Sequence, residues 1–326
     1  MCGIAGYIGD RDCADVLIDA LSKLEYRGYD SAGIAVFENG TIKVEKCKGR
    51  LSNLVDKMKR DGKPEGHCGI GHTRWATHGE PSDINSHPHG NKRVSIVHNG
   101  IIENYKQLKD FLISEGYSFI SETDTETVAK LLDYYYDGNP LDTIAKVIGE
   151  IKGSYALGII FRDFPDTVYA VRKDSPLIVG SGEGENFIAS DVPAIIHYTR
   201  DYYLLDTNDI AVVKKDSIRF YDVHKNEIYK DINTADWDVD AAEKGGYEHF
   251  MLKEIHEQPT AVKTTITPRI QEHMPDFTAE GFDKDKLKSY NNIYIVACGT
   301  AMHAGMVGKY VIEKLVRVPV HVDIAS

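Results

Sequence analysis

The first nine residues, Met1-Cys2-Gly3-Ile4-Ala5-Gly6-Tyr7-Ile8-Gly9, constrain the fold of this chain more than any other stretch. The apolar run after Cys2 is short, contains glycine and ends at Gly9-Asp10, which predicts a buried strand whose start lies at the surface. Removal of Met1 would leave Cys2 with both a thiol and a free α-amine. Their ordinary pKa values, about 8.5 and about 7.7 to 8.0, are close enough for the amine to accept the thiol proton near neutral pH. The alternative is that Cys2 is an ordinary small residue that opens a strand.

Length, net charge and cysteine spacing limit the number of domains, the kinds of partner and the kinds of metal or disulfide site that we expect. A chain of 326 residues is longer than one typical domain, which predicts one large domain and part or all of a second. The net charge of −12 argues against nucleic acid or an anionic membrane surface as the main partner. The five cysteines form no CxxC pair, so neither a zinc ribbon nor a disulfide framework is indicated, and we expect a reducing, cytoplasmic location. No signal peptide and no membrane-spanning run is predicted.

The pattern of strands and helices predicts one domain over residues 2–235. Strands come first, then three helices over residues 104–115, 125–136 and 141–151, then strands again. This order favours antiparallel sheets with helices packed on their outer faces. Asn39-Gly40 predicts a hairpin, and Asn99-Gly100 predicts the end of a strand that begins at Val94. Residues 204–213 are predicted to form one strand.

The rest of the chain, from residue 236 onward, has a different character. Residues 236–289 are charged and interrupted by prolines, which predicts a linker with one helix over residues 248–257. Residues 290–326 read as strand, turn, helix and strand. This is a βαβ unit, the beginning of a parallel-sheet domain that we expect to be truncated at Ser326.

Five motifs carry a family resemblance. They are Cys2-Gly3-Ile4 and residues 26–33 (YRGYDSAG), 71–79 (GHTRWATHG), 98–104 (HNGIIEN) and 123–126 (TDTE). In this order they resemble the glutaminase domain of the glutamine:fructose-6-phosphate amidotransferase family, a branch of the class II amidotransferases. The resemblance implies an α+β fold, the four-layer αββα sandwich of the N-terminal nucleophile hydrolases. Ala297-Cys298-Gly299-Thr300 resembles the start of that family's sugar isomerase domain.

The same resemblance implies a role for each matching residue. Cys2 would be the nucleophile that attacks the side-chain amide of glutamine, and Asn99 and Gly100 would form the oxyanion hole. Arg74 would bind the substrate α-carboxylate and Asp124 the α-ammonium. Trp75, Thr77 and His78 would line a loop that closes over glutamine. Arg27 would lie near the nucleophile.

Each of these residues has an ordinary structural alternative. Asn-Gly is typical of a turn, Arg74 of a solvated surface, Asp124 of a helix N-cap and Trp75 of a core. His87-Pro88-His89 is compatible with a metal site, but no acidic or cysteine ligand pattern accompanies it, so no metal and no cofactor is predicted. The joint occurrence of the motifs, in order, favours the enzyme.

The expected partners follow from the resemblance. They are L-glutamine and, in an intact protein that we expect to be a homodimer, fructose 6-phosphate. The family's serine after Cys-Gly-Thr is Ala301 here, so one hydroxyl expected near the sugar phosphate is missing. Two alternatives stay open: another class II amidotransferase, acting on phosphoribosyl pyrophosphate or aspartate, and a non-catalytic phosphosugar-binding protein.

Overall fold

The computed structural model describes residues 2–76, 79–235 and 246–325. It divides into two units, Met1–Glu243 and Lys244–Ser326. The assignment of residues 236–289 as a linker stays a prediction.

The first unit contains fifteen described strands in two large sheets. They are β1 (Gly3–Ile8), β2 (Ser31–Glu38), β3 (Thr41–Lys48), β4 (Cys68–Arg74), β5 (His89–Gly90), β6 (Val94–Ile102), β7 (Gly153–Phe161), β8 (Val168–Lys173), β9 (Ile178–Ser181), β10 (Asn186–Ala189), β11 (Asp201–Leu204), β12 (Ile210–Lys214), β13 (Ser217–Tyr221), β14 (Glu227–Ile228) and β15 (Asn233–Thr234). Sheet 1 has the order β15-β11-β9-β10-β1-β4-β2-β3, and sheet 2 has the order β14-β13-β12-β8-β7-β6-β5. Neighbouring strands pair antiparallel in both sheets, as the strand and helix order predicts.

Helices cover the outer face of each sheet. They are α1 (Cys13–Ser22), α2 (Leu51–Asp61), α3 (Tyr105–Ser114), α4 (Asp124–Tyr135) and α5 (Pro140–Glu150). Apolar residues of α1 and α2 pack on sheet 1, and those of α3, α4 and α5 pack on sheet 2. A third core, which includes Ile4, Ile70, Val97 and Ile160, fills the space between the sheets. The predicted α+β, αββα sandwich is confirmed, and it places β1 in the middle of sheet 1.

The predicted end of the strand at Asn99-Gly100 is wrong. Strand β6 continues to Ile102, with Asn99 opposite Ala156 and Gly100 opposite Tyr155 in β7. An isolated Asn-Gly pair favours a turn, but here a neighbouring strand supplies cross-strand partners on both sides of it. The consequence is that Asn99 lies on a rigid strand instead of a loop.

The single strand predicted over residues 204–213 is also wrong. Strand β11 ends at Leu204 in sheet 1, and β12 begins at Ile210 in sheet 2. Between them, the Asp206 N–H donates to the Asp209 carboxylate at 2.6 Å, and Asn208 has a φ of 67°. Asp and Asn favour such local turns, so the chain crosses from one sheet to the other at this point.

The second unit contains the predicted βαβ element. Strand β18 (Ile293–Ala297), a helix (Gly299–Val316) and strand β19 (Val320–Ile324) follow one another, and the two strands pair in parallel from Ile293 opposite Val320. The helix between β18 and β19 is α8. The elements before β18 are α6 (Phe250–Ile266), the short strands β16 (Ile270–Gln271) and β17 (Met274–Pro275), and α7 (Lys284–Lys288). The helix predicted to end at residue 257 continues through Pro259, which removes one backbone hydrogen bond without ending α6. No described helix has the length and apolar character needed to cross a membrane.

Candidate active site

Cys2 lies directly before β1, at the end of sheet 1 where β1 meets β4. Its side chain is half-buried, and its Sγ accepts a hydrogen bond from the Trp75 backbone N–H at 3.2 Å. Gly3 is tightly enclosed, because a Cβ there would lie 2.7 Å from both the Leu24 Cβ and the Thr73 Oγ1. The backbone at the start of β1 is therefore tightly packed, while the Cys2 side chain stays partly exposed.

Two side chains fix the backbone of Cys2. The Arg27 Nε donates to the Cys2 carbonyl oxygen at 3.2 Å, and the Arg27 Nη1 pairs with the Asp191 Oδ2 at 3.0 Å. The Asn99 Nδ2 donates to the same Cys2 carbonyl at 3.1 Å. Arg27 thus contacts the main chain of Cys2, the predicted nucleophile.

Gly100 occupies a position that only glycine fits. Its φ is 128°, and a Cβ there would lie 2.1 Å from the Ser154 carbonyl oxygen. Any L side chain would meet both the positive φ and the opposing strand. Gly100 directly follows Asn99, whose side chain contacts the Cys2 carbonyl. The backbone conformation of Gly100 therefore sets the course of β6 next to Cys2.

Arg74 and Asp124 lie with Cys2 around one small cavity. The cavity has a volume of about 30 Å³, and its lining includes Cys2, Arg74, Trp75, Gly100, Thr123 and Asp124. The Arg74 Nη2 donates to the Gly79 carbonyl at 3.2 Å, and the Asp124 Oδ2 accepts from the Ile102 N–H at 2.8 Å. A cation and an anion on one cavity with a thiol can bind the two charged groups of an α-amino acid.

Asp124 is not the N-cap of α4. Thr123 is the N-cap, since its Oγ1 accepts from the Glu126 N–H, and Asp124 is the first residue of the helix. The Asp124 carboxylate instead binds the backbone of β6, which leaves it facing the cavity wall shared with Gly100.

Trp75 is 44% exposed and makes an edge contact with the Tyr29 ring at a centroid distance of 5.5 Å. It is therefore a surface residue at the mouth of the cavity and not a core residue. Thr77 and His78, the other two predicted loop contacts, lie outside the described residues.

A larger cleft lies elsewhere in the first unit. It has a volume of about 890 Å³ and is lined by residues at the far end of β1, among them Ile8, Cys68 and Lys214. Strand β1 runs from Gly3 to Ile8, so this cleft is at the opposite end of the sandwich from Cys2. We place the candidate site by its chemistry, because the larger cleft contains none of the predicted residues.

Four buried histidines lie at or next to the wall of the small cavity, among the residues that the structure describes, and His87 and His98 line it. His72 stacks on His87 at a ring distance of 4.2 Å, and His87 lies 5.0 Å from the ring of His89. The His98 Nδ1 is 2.9 Å from the Thr125 Oγ1. Burial lowers the pKa of His72 to about 3 and holds the pKa values of His87 and His89 well below the usual range. Within residues 2–76, 79–235 and 246–325, no three His, Cys, Asp or Glu side chains are arranged to hold a metal.

The Cys2 thiol is not activated by its described neighbours alone. Burial raises the pKa of Cys2 above its ordinary value, although the Trp75 N–H and the positive charge of Arg74 act in the opposite direction. A thiolate at neutral pH therefore needs a base close to the sulfur, and the α-amine of the same residue would be one.

Comparison with known proteins identifies one domain and several relatives. A family model described as a glutamine amidotransferase domain matches residues 72–197. Over its whole length the chain is 57% identical to an isomerizing glutamine–fructose-6-phosphate aminotransferase of Caldanaerobacter subterraneus and 56% identical to one of Clostridium tetani. The chain therefore contains a glutamine amidotransferase domain. It spans about half the length of these curated relatives, 54% of each.

A solved structure supports the fold of this chain. The glutamine phosphoribosylpyrophosphate amidotransferase of B. subtilis, complexed with ADP and GMP, matches with a TM-score of 0.59 and 23% identity. The match covers 69% of this chain and 50% of that one. At this identity the likeness concerns the fold alone.

Two residues that contact Asn99 were not predicted from the sequence. The His72 Nε2 lies 2.9 Å from the Asn99 Oδ1, and the Ser190 Oγ accepts from the Asn99 Nδ2 at 3.0 Å. His72 had an available signal, since it precedes Arg74 by two residues in a strand and therefore shares its face. Ser190 had none, because it follows β10, far along the chain, and only the pairing of β10 with β1 brings it to the site.

Proposed function

We propose that this chain hydrolyses the side-chain amide of glutamine with Cys2 as nucleophile, once Met1 has been removed. The Cys2 thiolate adds to the amide carbon, the C–N bond breaks, and ammonia leaves with the proton that the α-amine took from the thiol. Water then cleaves the γ-glutamyl thioester to give glutamate and regenerate the thiol. The observation that carries the proposal is the presence of the thiol, Gly100, Arg74 and Asp124 on one cavity.

The oxyanion of the tetrahedral intermediate would be bound by the Asn99 side-chain amide and the Gly100 N–H. Asn99 supports this role because its Nδ2 already lies 3.1 Å from the carbonyl of the nucleophile residue. Both groups belong to β6, so they are held in place by the strand before the reaction starts. Preorganised donors of this kind contribute about 10²- to 10³-fold to the rate.

Substrate recognition would rest on the two charged groups of glutamine. Arg74 offers a planar guanidinium to the α-carboxylate, and Asp124 offers a carboxylate to the α-ammonium. Trp75, Thr77 and His78 would cover the bound substrate, and Arg27 would keep Cys2 in position through its main-chain contact. A volume of about 30 Å³ holds a water or two, so we expect the cavity wall to move when glutamine binds.

We further propose that the ammonia serves fructose 6-phosphate, giving glucosamine 6-phosphate in a longer protein. The relatives that align with the whole chain carry that activity in their names, and they are nearly twice as long. In this proposal residues 2–235 are the glutaminase domain, 236–289 the linker and 290–326 the start of the sugar isomerase domain. The parallel pairing of β18 and β19 around α8 supports the last assignment. A cytoplasmic homodimer is the assembly we propose.

The test is glutamate release by Met1-free protein. We expect the parent protein to release glutamate from glutamine, and Cys2→Ala to release none. Cys47→Ala is the matched control, because Cys47 is also half-buried but lies in β3, outside the cavity. Glutamate release by Cys2→Ala at the parent rate would refute the proposal, as would loss of activity in both variants.

A further inference from the structure

We propose that His72 is a positioning residue that holds the Asn99 amide with its NH₂ group toward the reaction site. The inference rests on the proposed function, in which Asn99 supplies one donor of the oxyanion hole. His72 lies in β4 of sheet 1 and Asn99 in β6 of sheet 2, so the contact joins the two sheets beside Cys2.

The hydrogen-bond directions follow from an unambiguous acceptor. The His72 Nε2 lies 3.1 Å from the His98 carbonyl oxygen, which can only accept. His72 must therefore carry its proton on Nε2. The same Nε2–H lies 2.9 Å from the side chain of Asn99, so the Asn99 atom that faces it has to be the oxygen.

The contacts of the Asn99 Nδ2 indicate the same orientation of the side-chain amide. The Asn99 Nδ2 is 3.1 Å from the Cys2 carbonyl oxygen, another group that only accepts. It also donates at 3.0 Å to the Ser190 Oγ, which in turn accepts from the Ile4 N–H at 2.7 Å. A rotated amide would place NH₂ against the His72 N–H and oxygen against the Cys2 oxygen. Both contacts would then be repulsive, so His72 and Cys2 together select one orientation.

The surroundings keep His72 a neutral donor. It is fully buried and stacked on His87, and the nearby positive charge of Arg74 also opposes its protonation. His72 thus stays neutral throughout the pH range of an assay, with a single tautomer fixed by the His98 carbonyl. A histidine held in this way can orient a neighbouring group and takes no proton from the reaction.

The first test compares two substitutions of His72 in Met1-free protein. His72→Gln keeps an N–H donor near the position of Nε2, whereas His72→Leu removes the donor at similar volume. We expect His72→Leu to lower the kcat of glutamine hydrolysis about 30-fold, less than the about 10²- to 10³-fold cost of removing an oxyanion donor, because the Asn99 amide is displaced and not removed. KM should change less than about threefold. His72→Gln should retain at least about a third of the parent kcat. Equal kcat losses in both variants would overturn the proposal.

The matched control is His89→Leu. His89 is equally buried in the same histidine cluster, but its Nε2 contacts the Thr123 Oγ1 and not Asn99. Because Thr123 caps the helix that begins with Asp124, any effect should fall on KM, with kcat within about threefold of the parent. A kcat loss as large as that of His72→Leu would show that disturbing the cluster is sufficient, and would overturn the positioning role.

A double-mutant cycle isolates the contact. If His72 acts through Asn99, adding His72→Leu to Asn99→Ala should lower kcat by less than about twofold. A further 30-fold loss would mean that His72 acts independently of Asn99. Should His72→Leu fail to fold, His72→Asn carries the same test, because its amide is one carbon too short to reach Asn99.

Two measurements distinguish failure of this inference from failure of the proposed function. Alkylation of Cys2 by iodoacetamide needs no oxyanion hole, so its rate, followed at Cys2 by peptide mass spectrometry, should be the same in parent and His72→Leu protein. The nitrogen-15 spectrum of histidine-labelled parent protein should show neutral His72 with its proton on Nε2, whether or not the protein hydrolyses glutamine. A proton on Nδ1 would overturn the positioning role even if Cys2 is the nucleophile.

Discussion

The buried histidines predict that the first unit loses stability in mild acid. Burial holds the pKa values of three histidines well below the usual range in the folded protein: His72, His87 and His89. In the unfolded chain each has a pKa of about 6.5. The folded state therefore binds fewer protons than the unfolded state below that pH. Their contribution is fully favourable above about pH 6.5, and it is lost progressively as the pH falls toward the folded-state values.

The size of the effect follows from proton linkage. Between pH 7 and pH 5.5, a histidine that stays neutral when folded and titrates at about 6.5 when unfolded costs slightly more than about 1 kcal/mol. Three such histidines cost about 4 kcal/mol, a large part of the about 5 to 15 kcal/mol that stabilises a typical domain. Ordinary carboxylates titrate near pH 4, so this window reports mainly on histidines.

Urea unfolding at pH 7 and pH 5.5, followed by circular dichroism, measures this loss directly. His89→Gln removes one titrating group while keeping a polar side chain near the Thr123 hydroxyl, so it should reduce the acid-induced loss by about 1 kcal/mol. A loss below about 1 kcal/mol in the parent protein would refute the reasoning. An unchanged pH dependence in His89→Gln would refute it as well.

Three further predictions concern the cavity. Gly100→Ala should lower kcat at least about 100-fold, because its Cβ would meet the Ser154 oxygen at 2.1 Å, whereas Gly116→Ala, also at positive φ but in open space, should keep full activity. Arg74→Lys should lower kcat/KM for glutamine about 10- to 200-fold, the equivalent of about 1.5 to 3 kcal/mol, since one ammonium replaces a planar fork; unchanged kcat/KM would exclude the contact. Asp124→Asn should raise the KM for glutamine about 10-fold or more and leave the rate of Cys2 alkylation by iodoacetamide unaltered, and a parent-like KM would remove Asp124 from substrate binding.

Much of the fold could be predicted from the sequence because local patterns and tertiary packing agree. The Asn39-Gly40 hairpin joins β2 and β3 as predicted, with Glu38 opposite Thr41. The same dipeptide gave a wrong prediction at Asn99-Gly100, because pairing with β7 keeps β6 extended there. A dipeptide signal carries no information about the strand that will lie beside it.

Site residues that lie in local motifs could be predicted from the sequence, whereas a residue brought in only by long-range strand pairing could not. Cys2, Asn99 and Arg74 could be proposed because motifs contain them, and the structure brings them together. The contact of Asn99 with Ser190 joins residues 91 positions apart in sequence. Only the antiparallel pairing of β1 with β10 creates it, and no local pattern around Ser190 indicates that pairing.

The central claim is that Cys2 carries the γ-glutamyl group during turnover, and trapping that intermediate tests it most directly. Met1-free protein would be mixed with glutamine, quenched in acid during turnover, digested and analysed by mass spectrometry. We predict one glutamyl group on the peptide that begins with Cys2, and its removal by hydroxylamine, which cleaves thioesters. Glutamate production with no adduct on Cys2, or with the adduct on another cysteine, would contradict the account.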